Sequence, residues 1–133
     1  MKESQSFLDH FKIWAENQDN IVGIVLVGSY ARGTAREDSD VDLVILAKDP
    51  TIYLKNIDWI LTFGDINEEK TEDEDWGILQ TKRVFYKNGL EVEYGITSPE
   101  WAVDDGAKEV MQDGAKLLLD KSGSLQKIIN SIH

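Results

Sequence analysis

Apolar residues along this chain fall into alternating helical and extended patterns. Phe7, Leu8, Phe11, Ile13 and Trp14 recur at helical spacing behind Ser4 and Ser6, either of which suits an N-cap. They predict a first helix ending near residues 17–20. Ile21-Val22-Gly23-Ile24-Val25-Leu26-Val27 is a nearly unbroken apolar run rich in β-branched residues, as expected of a strand buried on both faces. Gly28-Ser29 then turns the chain into a predicted short helix over 29–33, and a second buried strand follows over 41–47, closed by Asp49-Pro50. Thr51 suits the cap of a helix with apolar positions Ile52, Leu54, Ile57, Ile60 and Leu61, which stops at Gly64.

The next stretch, residues 65–75, reads as a loop. Leu79 to Tyr86 and Leu90 to Ile96 flank Lys87-Asn88-Gly89, whose Asn-Gly pair signals a hairpin. Ser98-Pro99 starts a short helical segment, with proline suited to the first helical position. A helix over 104–112, a short strand over 115–119 and a terminal helix, capped by Ser122 or Ser124 and ending near Ser131, complete the pattern. The expected fold is α/β or α+β, a mixed β-sheet with packed helices, in a single domain over residues 1–133.

Candidate chemistry concentrates in residues 28–42. Asp40-Val41-Asp42 follows the Gly28-Ser29 turn after ten intervening residues and opens into Leu43-Val44-Ile45-Leu46. Strand side chains alternate faces, so Asp40 and Asp42 share one face while Val41 and Leu43 enter the core. Two carboxylates on one face can hold divalent cations, and a small Gly-Ser turn lets phosphate oxygens approach backbone N–H groups. Without a cation such carboxylates repel, and at least one pKa should rise. Either fragment alone is ordinary: a solvated strand end, or a turn. Joined at this spacing between two apolar runs, they form a composite motif far more specific than a lone glycine loop.

This motif resembles that of the nucleotidyltransferase superfamily, which includes polymerase beta, the aminoglycoside nucleotidyltransferases and the minimal nucleotidyltransferase proteins. Its pattern is an apolar residue, Gly-Ser or Gly-Gly, a spacer, then Asp-apolar-Asp/Glu-apolar. Val27-Gly28-Ser29 and Asp40-Val41-Asp42-Leu43 match it without departure, and Ala31-Arg32-Gly33 with Asp38-Ser39 looks like the minimal and antibiotic-modifying branches. Weaker similarity to small bacterial members continues through Gly89 to Tyr94 and Ser98 to Trp101.

The resemblance implies the nucleotidyltransferase fold and three metal-binding, catalytic carboxylates: Asp40, Asp42 and one from a neighbouring strand. Glu93, flanked by Val92 and Tyr94, fits the apolar-acid-apolar pattern best; Glu91, nearer the hairpin turn, is the alternative. It also implies two Mg²⁺ ions, roughly 3.5–4 Å apart in such sites, with ATP or another nucleoside triphosphate as substrate. Gly28, Ser29 and Arg32 are the expected phosphate contacts, the N–H groups after Ser29 presenting a helix N-terminus. Arg36 is expected to be solvated, His10 and His133 to be no ligands, and Trp76 to serve the core or line an acceptor cleft.

Composition narrows the acceptor. Of the net charge of −11, −6 lies in residues 65–75, seven acids against Lys70 alone. Nucleic-acid binding favours clustered Lys and Arg, so a polynucleotide acceptor is not expected. An acidic segment can attract a cationic acceptor such as an aminoglycoside or a basic protein surface, or it can simply be a solvated loop. There is no cysteine, hence no disulfide framework, and no apolar run long enough to span a membrane. Met1 to Gln5 lacks the apolar core of a signal peptide, so a cytoplasmic location is expected.

Two functions follow from the resemblance. The first is transfer of a nucleoside monophosphate, most simply AMP from ATP, to a hydroxyl of a small acceptor. The extra C-terminal helical domain with which larger antibiotic-modifying members enclose the acceptor is not expected here, which either counts against drug modification or implies that a homodimer partner completes the cleft. The second is an antitoxin of the minimal branch that binds, and in some cases nucleotidylates, a small helical toxin.

Overall fold

The computed structural model describes residues 2–28, 40–55, 58–68, 74–76, 79–98, 115–121, 123 and 125–126. Helix α1 spans Lys2–Glu16, and strands β1 (Ile21–Val27) and β2 (Val41–Ala47) follow. A short helix α2 (Thr51–Lys55) and a 3₁₀ turn (Asp58–Phe63) lead into β3 (Ile66–Glu68) and β4 (Glu74–Trp76). Strands β5 (Leu79–Tyr86), β6 (Glu91–Thr97) and β7 (Ala115–Asp120) complete the described elements.

All seven strands join one mixed sheet in the order β3-β5-β6-β2-β1-β7, with β4 pairing the same strand β5 as β3 does. Only the β2–β6 pair is parallel among the described pairings. This is the expected mixed sheet with packed helices, and of the two classes that the hydrophobic pattern leaves open it is α+β. The hairpin between β5 and β6 closes as expected: Gly89 N–H donates to the Tyr86 carbonyl at 3.0 Å, and Gly89 takes φ +91°, a conformation that glycine adopts without a Cβ penalty.

One face of the sheet carries the main core. Ile24, Leu26, Leu43, Ile45, Val92, Tyr94 and Ile96 pack there under α1, α2 and the 3₁₀ turn. Helix α1 presents Phe7, Phe11 and Ala15, a four-residue repeat on one stripe. Ile13 lies two residues from both Phe11 and Ala15, about 200° around the helix, and is 60% exposed instead of joining that stripe. The opposite face carries a smaller cluster of Val25, Val44, Leu46 and Leu125. β2 alternates between the two faces, which is why both kinds of residue appear along one apolar run.

Four local expectations need correction. α1 begins at Lys2, so Ser4 and Ser6 lie inside it rather than capping it. Asp49, not Thr51, caps α2: its Oδ1 accepts from the Thr51 N–H and hydroxyl, and Pro50 takes the first helical position. The single helix expected up to Gly64 is two short pieces. The Tyr53 carbonyl, which a continuous helix would give to the N–H four residues on, accepts from the Trp59 indole at 3.0 Å, and Tyr53 and Ile60 are buried while Ile52 and Leu61 are exposed. Lastly, the acidic segment is not all loop. β3 and β4 take up the outer edge of β5, where charged side chains discourage pairing with other chains. The helices expected over 29–33, from Ser98-Pro99 and over 104–112 lie outside the described residues; of the terminal helix only Leu125 and Gln126 are described, and both are helical.

Because the sheet separates the aromatic core from the face that carries Asp42, core damage should not reach that face. Phe11→Ala should lower stability by about 3–5 kcal/mol in denaturant unfolding while leaving the Asp42 carboxyl ¹³C resonance of the folded protein where it is in wild type. A shifted Asp42 resonance in the folded variant would show that the two faces are not independent.

Candidate active site

Strand register brings the acids together. β1 and β2 pair with Val27 opposite Asp42, β2 and β6 with Asp42 opposite Glu93, and β6 and β5 with Glu93 opposite Arg83. A single row thus crosses four strands as Val27, Asp42, Glu93 and Arg83. Val41, Leu43, Val92 and Tyr94 are essentially fully buried on the helix-covered side, so alternation turns Asp42 and Glu93 to the other face. Asp40 enters just before β2 on the same side. One oxygen from each of Asp40, Asp42 and Glu93 lies within 4.8 Å of the other two, and all three residues are half-buried.

Asp42 carries the strain of this arrangement. Burial, then the approach of Glu93 and Asp40, pushes its pKa from 3.8 up to about 8. Two ionised carboxylates have no proton to share, so their close approach is repulsive unless Asp42 keeps its own. Its Oδ1 is buried and has no hydrogen-bond partner among the described residues. The other oxygen, Oδ2, lies against Gly28, where an added Cβ would overlap it. Gly28 has φ +75°, so it serves both the left-handed turn at the end of β1 and the close approach of Asp42.

These features fit a divalent cation. The donor set is all oxygen, which suits Mg²⁺, Mn²⁺ or Ca²⁺. Oxygens bound to one such ion can stand no farther apart than about 4–5 Å, twice the usual metal–oxygen distance, and the three acids fall within that limit. A cation would also satisfy the orphaned Asp42 oxygen, which otherwise sits buried at a cost.

Glu91 is not part of this group. It turns to Arg83, whose Nε lies 3.6 Å from Glu91 Oε2 while its Nη2 lies 3.4 Å from Glu93 Oε2. Arg83 was not singled out from the sequence, yet the signal was there. It stands three residues before Tyr86 and Glu93 three after Leu90, so folding the chain at Lys87-Asn88-Gly89 sets them opposite each other. Ser29, Arg32, Arg36 and His133 lie outside the described residues, and the Trp76 side chain is likewise not described. His10 packs edge-on to Phe63 at 5.3 Å, away from the acids. Among the described residues no helix is long and apolar enough to cross a membrane.

The sign of the Asp42 shift sets a pH dependence. A carboxyl whose folded pKa is raised contributes stability below its unfolded value, near 3.8, and loses it as pH rises through about 8. With a chelator present, the protein should therefore melt at progressively lower temperature between pH 5 and 8. Asp42→Asn should flatten that slope and melt higher than wild type at pH 8. A wild-type melting temperature that holds steady or rises across that range would contradict the crowding described here.

Comparison with known proteins bears on the family and the fold. The model of the nucleotidyltransferase domain family matches residues 9–93, well over half of the chain, a span holding Gly28, Asp40, Asp42 and Glu93. A putative protein adenylyltransferase of Methanocaldococcus jannaschii is 49% identical over 49 residues, 35% of this chain and 33% of that protein. Among solved structures, an aminoglycoside 6-adenyltransferase from Bacillus subtilis superposes with a TM-score of 0.57 at 15% identity, covering 82% of this chain and 39% of that one. A toxin–antitoxin structure with AMP-PNP gives a TM-score of 0.47 at 13% identity, over 98% of this chain and 82% of that one. The chain thus spans about a third of the curated relative and two fifths of the adenyltransferase. With its sheet, its row of acids and the extent of the family match all in agreement, the chain belongs to the nucleotidyltransferase domain family.

Proposed function

We propose that this protein is a metal-dependent nucleotidyltransferase that moves AMP from ATP onto a hydroxyl acceptor. The observation that carries the reading is the convergence of Asp40, Asp42 and Glu93, with a buried Asp42 oxygen that has no hydrogen-bond partner among the described residues. In the proposed reaction the acceptor oxygen forms a bond to the α-phosphorus, the bond to the leaving pyrophosphate breaks, and the acceptor loses its proton.

Asp40, Asp42 and Glu93 would hold the divalent cations, with a pair of Mg²⁺ ions the simplest set. When bound, such ions lower the pKa of an acceptor hydroxyl and neutralise charge on the triphosphate. The chain's own part is positional. The parallel β2–β6 register holds Asp42 beside Glu93, and Gly28 lets the end of β1 pass close to the Asp42 carboxylate. Gly28, Ser29 and Arg32 are the proposed triphosphate contacts.

The acceptor is a small hydroxylated compound, cationic where the acidic segment contributes to its capture, or a protein. A protein acceptor is favoured by the similarity to a putative protein adenylyltransferase, and it would join the transferase reading to that of a toxin-binding antitoxin. Labelled ATP with Mg²⁺, offered aminoglycosides, small polyols and purified candidate proteins in turn, separates these classes. On the acceptor so identified, Asp40→Asn, Asp42→Asn and Glu93→Gln should each abolish transfer, whereas Glu91→Gln should stay within about tenfold of wild type. Near wild-type turnover by either aspartate variant would overturn the reading. A reversed ranking of Glu91 and Glu93 would make Glu91 the third ligand.

A further inference from the structure

The row that crosses the sheet does not end at the acids. It ends at Arg83, directly opposite Glu93 on β5, with Glu91 at the diagonal position where an antiparallel pair brings long side chains within reach. We propose that Arg83 is a positioning residue, anchored by Glu91, that holds the Glu93 carboxylate in place for cation binding. This inference rests on the metal-dependent reading above.

Three observations support it. First, Arg83 reaches both glutamates with different nitrogens, Nε to Glu91 and Nη2 to Glu93, so one rigid planar group bridges the two acids. Second, its contact with Glu93 uses Oε2, and a carboxylate has two oxygens and about four acceptor sites. The arginine therefore restrains Glu93 without exhausting its capacity for a cation. Third, the separations of 3.4 and 3.6 Å exceed the ~2.8 Å of a tight charge-assisted hydrogen bond. The guanidinium leaves Glu93 free to adjust by tenths of an ångström as a cation enters.

The same residue can be read in two other ways, and the sign of one measurement separates all three. If Arg83 mainly competes with the cation for Glu93, its removal takes a positive charge from the site and tightens cation binding. If it only stabilises the β5–β6 hairpin, its removal lowers the melting temperature and leaves cation affinity alone. If it positions Glu93, its removal weakens cation binding, because partners that orient a ligand are typically worth about 10–100-fold in metal affinity. Side-chain exposures of 38% for Arg83, 29% for Glu91 and 26% for Glu93 favour the low end of that range, since water screens the pairs in part.

The test is a titration of the metal-free protein with Mn²⁺ alone, read by the loss of the free-ion EPR signal, for wild type, Arg83→Gln, Arg83→Lys, Glu91→Gln and the Arg83→Gln/Glu91→Gln double variant. Arg83→Gln should weaken Mn²⁺ binding about tenfold, and Arg83→Lys should restore part of the loss. Glu91→Gln, a mild change on a half-exposed side chain, should weaken binding less. The double variant should be no worse than Arg83→Gln, because Glu91 acts through the arginine. Unchanged or tighter Mn²⁺ binding by Arg83→Gln, or by Glu91→Gln should Arg83→Gln fail to fold, overturns this inference and leaves the metal reading standing. Absence of Mn²⁺ binding by the wild-type protein overturns both.

Discussion

Repulsion among three carboxylates, imposed by strand register, is the constraint on which the functional face of this protein depends. β2 and β6 are parallel and paired so that Asp42 lies opposite Glu93, and Asp40 comes in from the same end. In water such groups would move apart. Here Asp42 cannot, because its strand is packed on both sides and its backbone is held in the ladders to β1 and β6. The result is a pKa pushed up to about 8 and a buried oxygen with no hydrogen-bond partner among the described residues. As a stability device this arrangement is counterproductive; as a seat for hard cations it is apt.

The rest of the fold makes that local cost tolerable. The helix-covered face buries Phe7, Phe11, Tyr94 and the aliphatic side chains of β1, β2 and β6, an apolar core that does not involve the acids. Tyr86 and Tyr94 share a hydrogen bond at 2.8 Å and Tyr86 donates to the Ile60 carbonyl, so even the polar atoms of that core are satisfied. Among the described residues, the buried side-chain oxygen without a hydrogen-bond partner, Asp42 Oδ1, lies on the opposite face. Arg83 lies in the same row as Asp42, and burial works against its charge. Glu93, Glu91 and Asp40 outweigh that penalty and keep the guanidinium protonated above its ordinary range.

Much of this was legible in the residues. Alternation alone puts Asp40 and Asp42 on one face, and the Asn88-Gly89 turn places Glu91 and Glu93 on a strand whose other face, Val92 and Tyr94, is apolar. The parallel β2–β6 register, which sets Glu93 beside Asp42, is a long-range pairing with no local signature. The superfamily resemblance implied only that a third acid comes from a neighbouring strand. Arg83 could have been found by counting outward from the hairpin turn, but a lone arginine in a strand attracts no notice until its partner is known. The 3₁₀ turn over Asp58–Phe63 carries the Trp59 indole to the Tyr53 carbonyl, a contact that helical periodicity cannot show. The strands in the acidic segment were hidden for a similar reason, since edge pairing draws on backbone groups that side-chain polarity does not report.

The central claim is that a divalent cation relieves the crowding at Asp42. Carboxyl ¹³C NMR, with Asp42 assigned by its loss in Asp42→Asn, measures this directly. Without a cation the Asp42 carboxyl should titrate near 8, and saturating Mg²⁺ should bring its midpoint down toward the ordinary aspartate range around 3.8. A midpoint that Mg²⁺ leaves where it was would contradict the account.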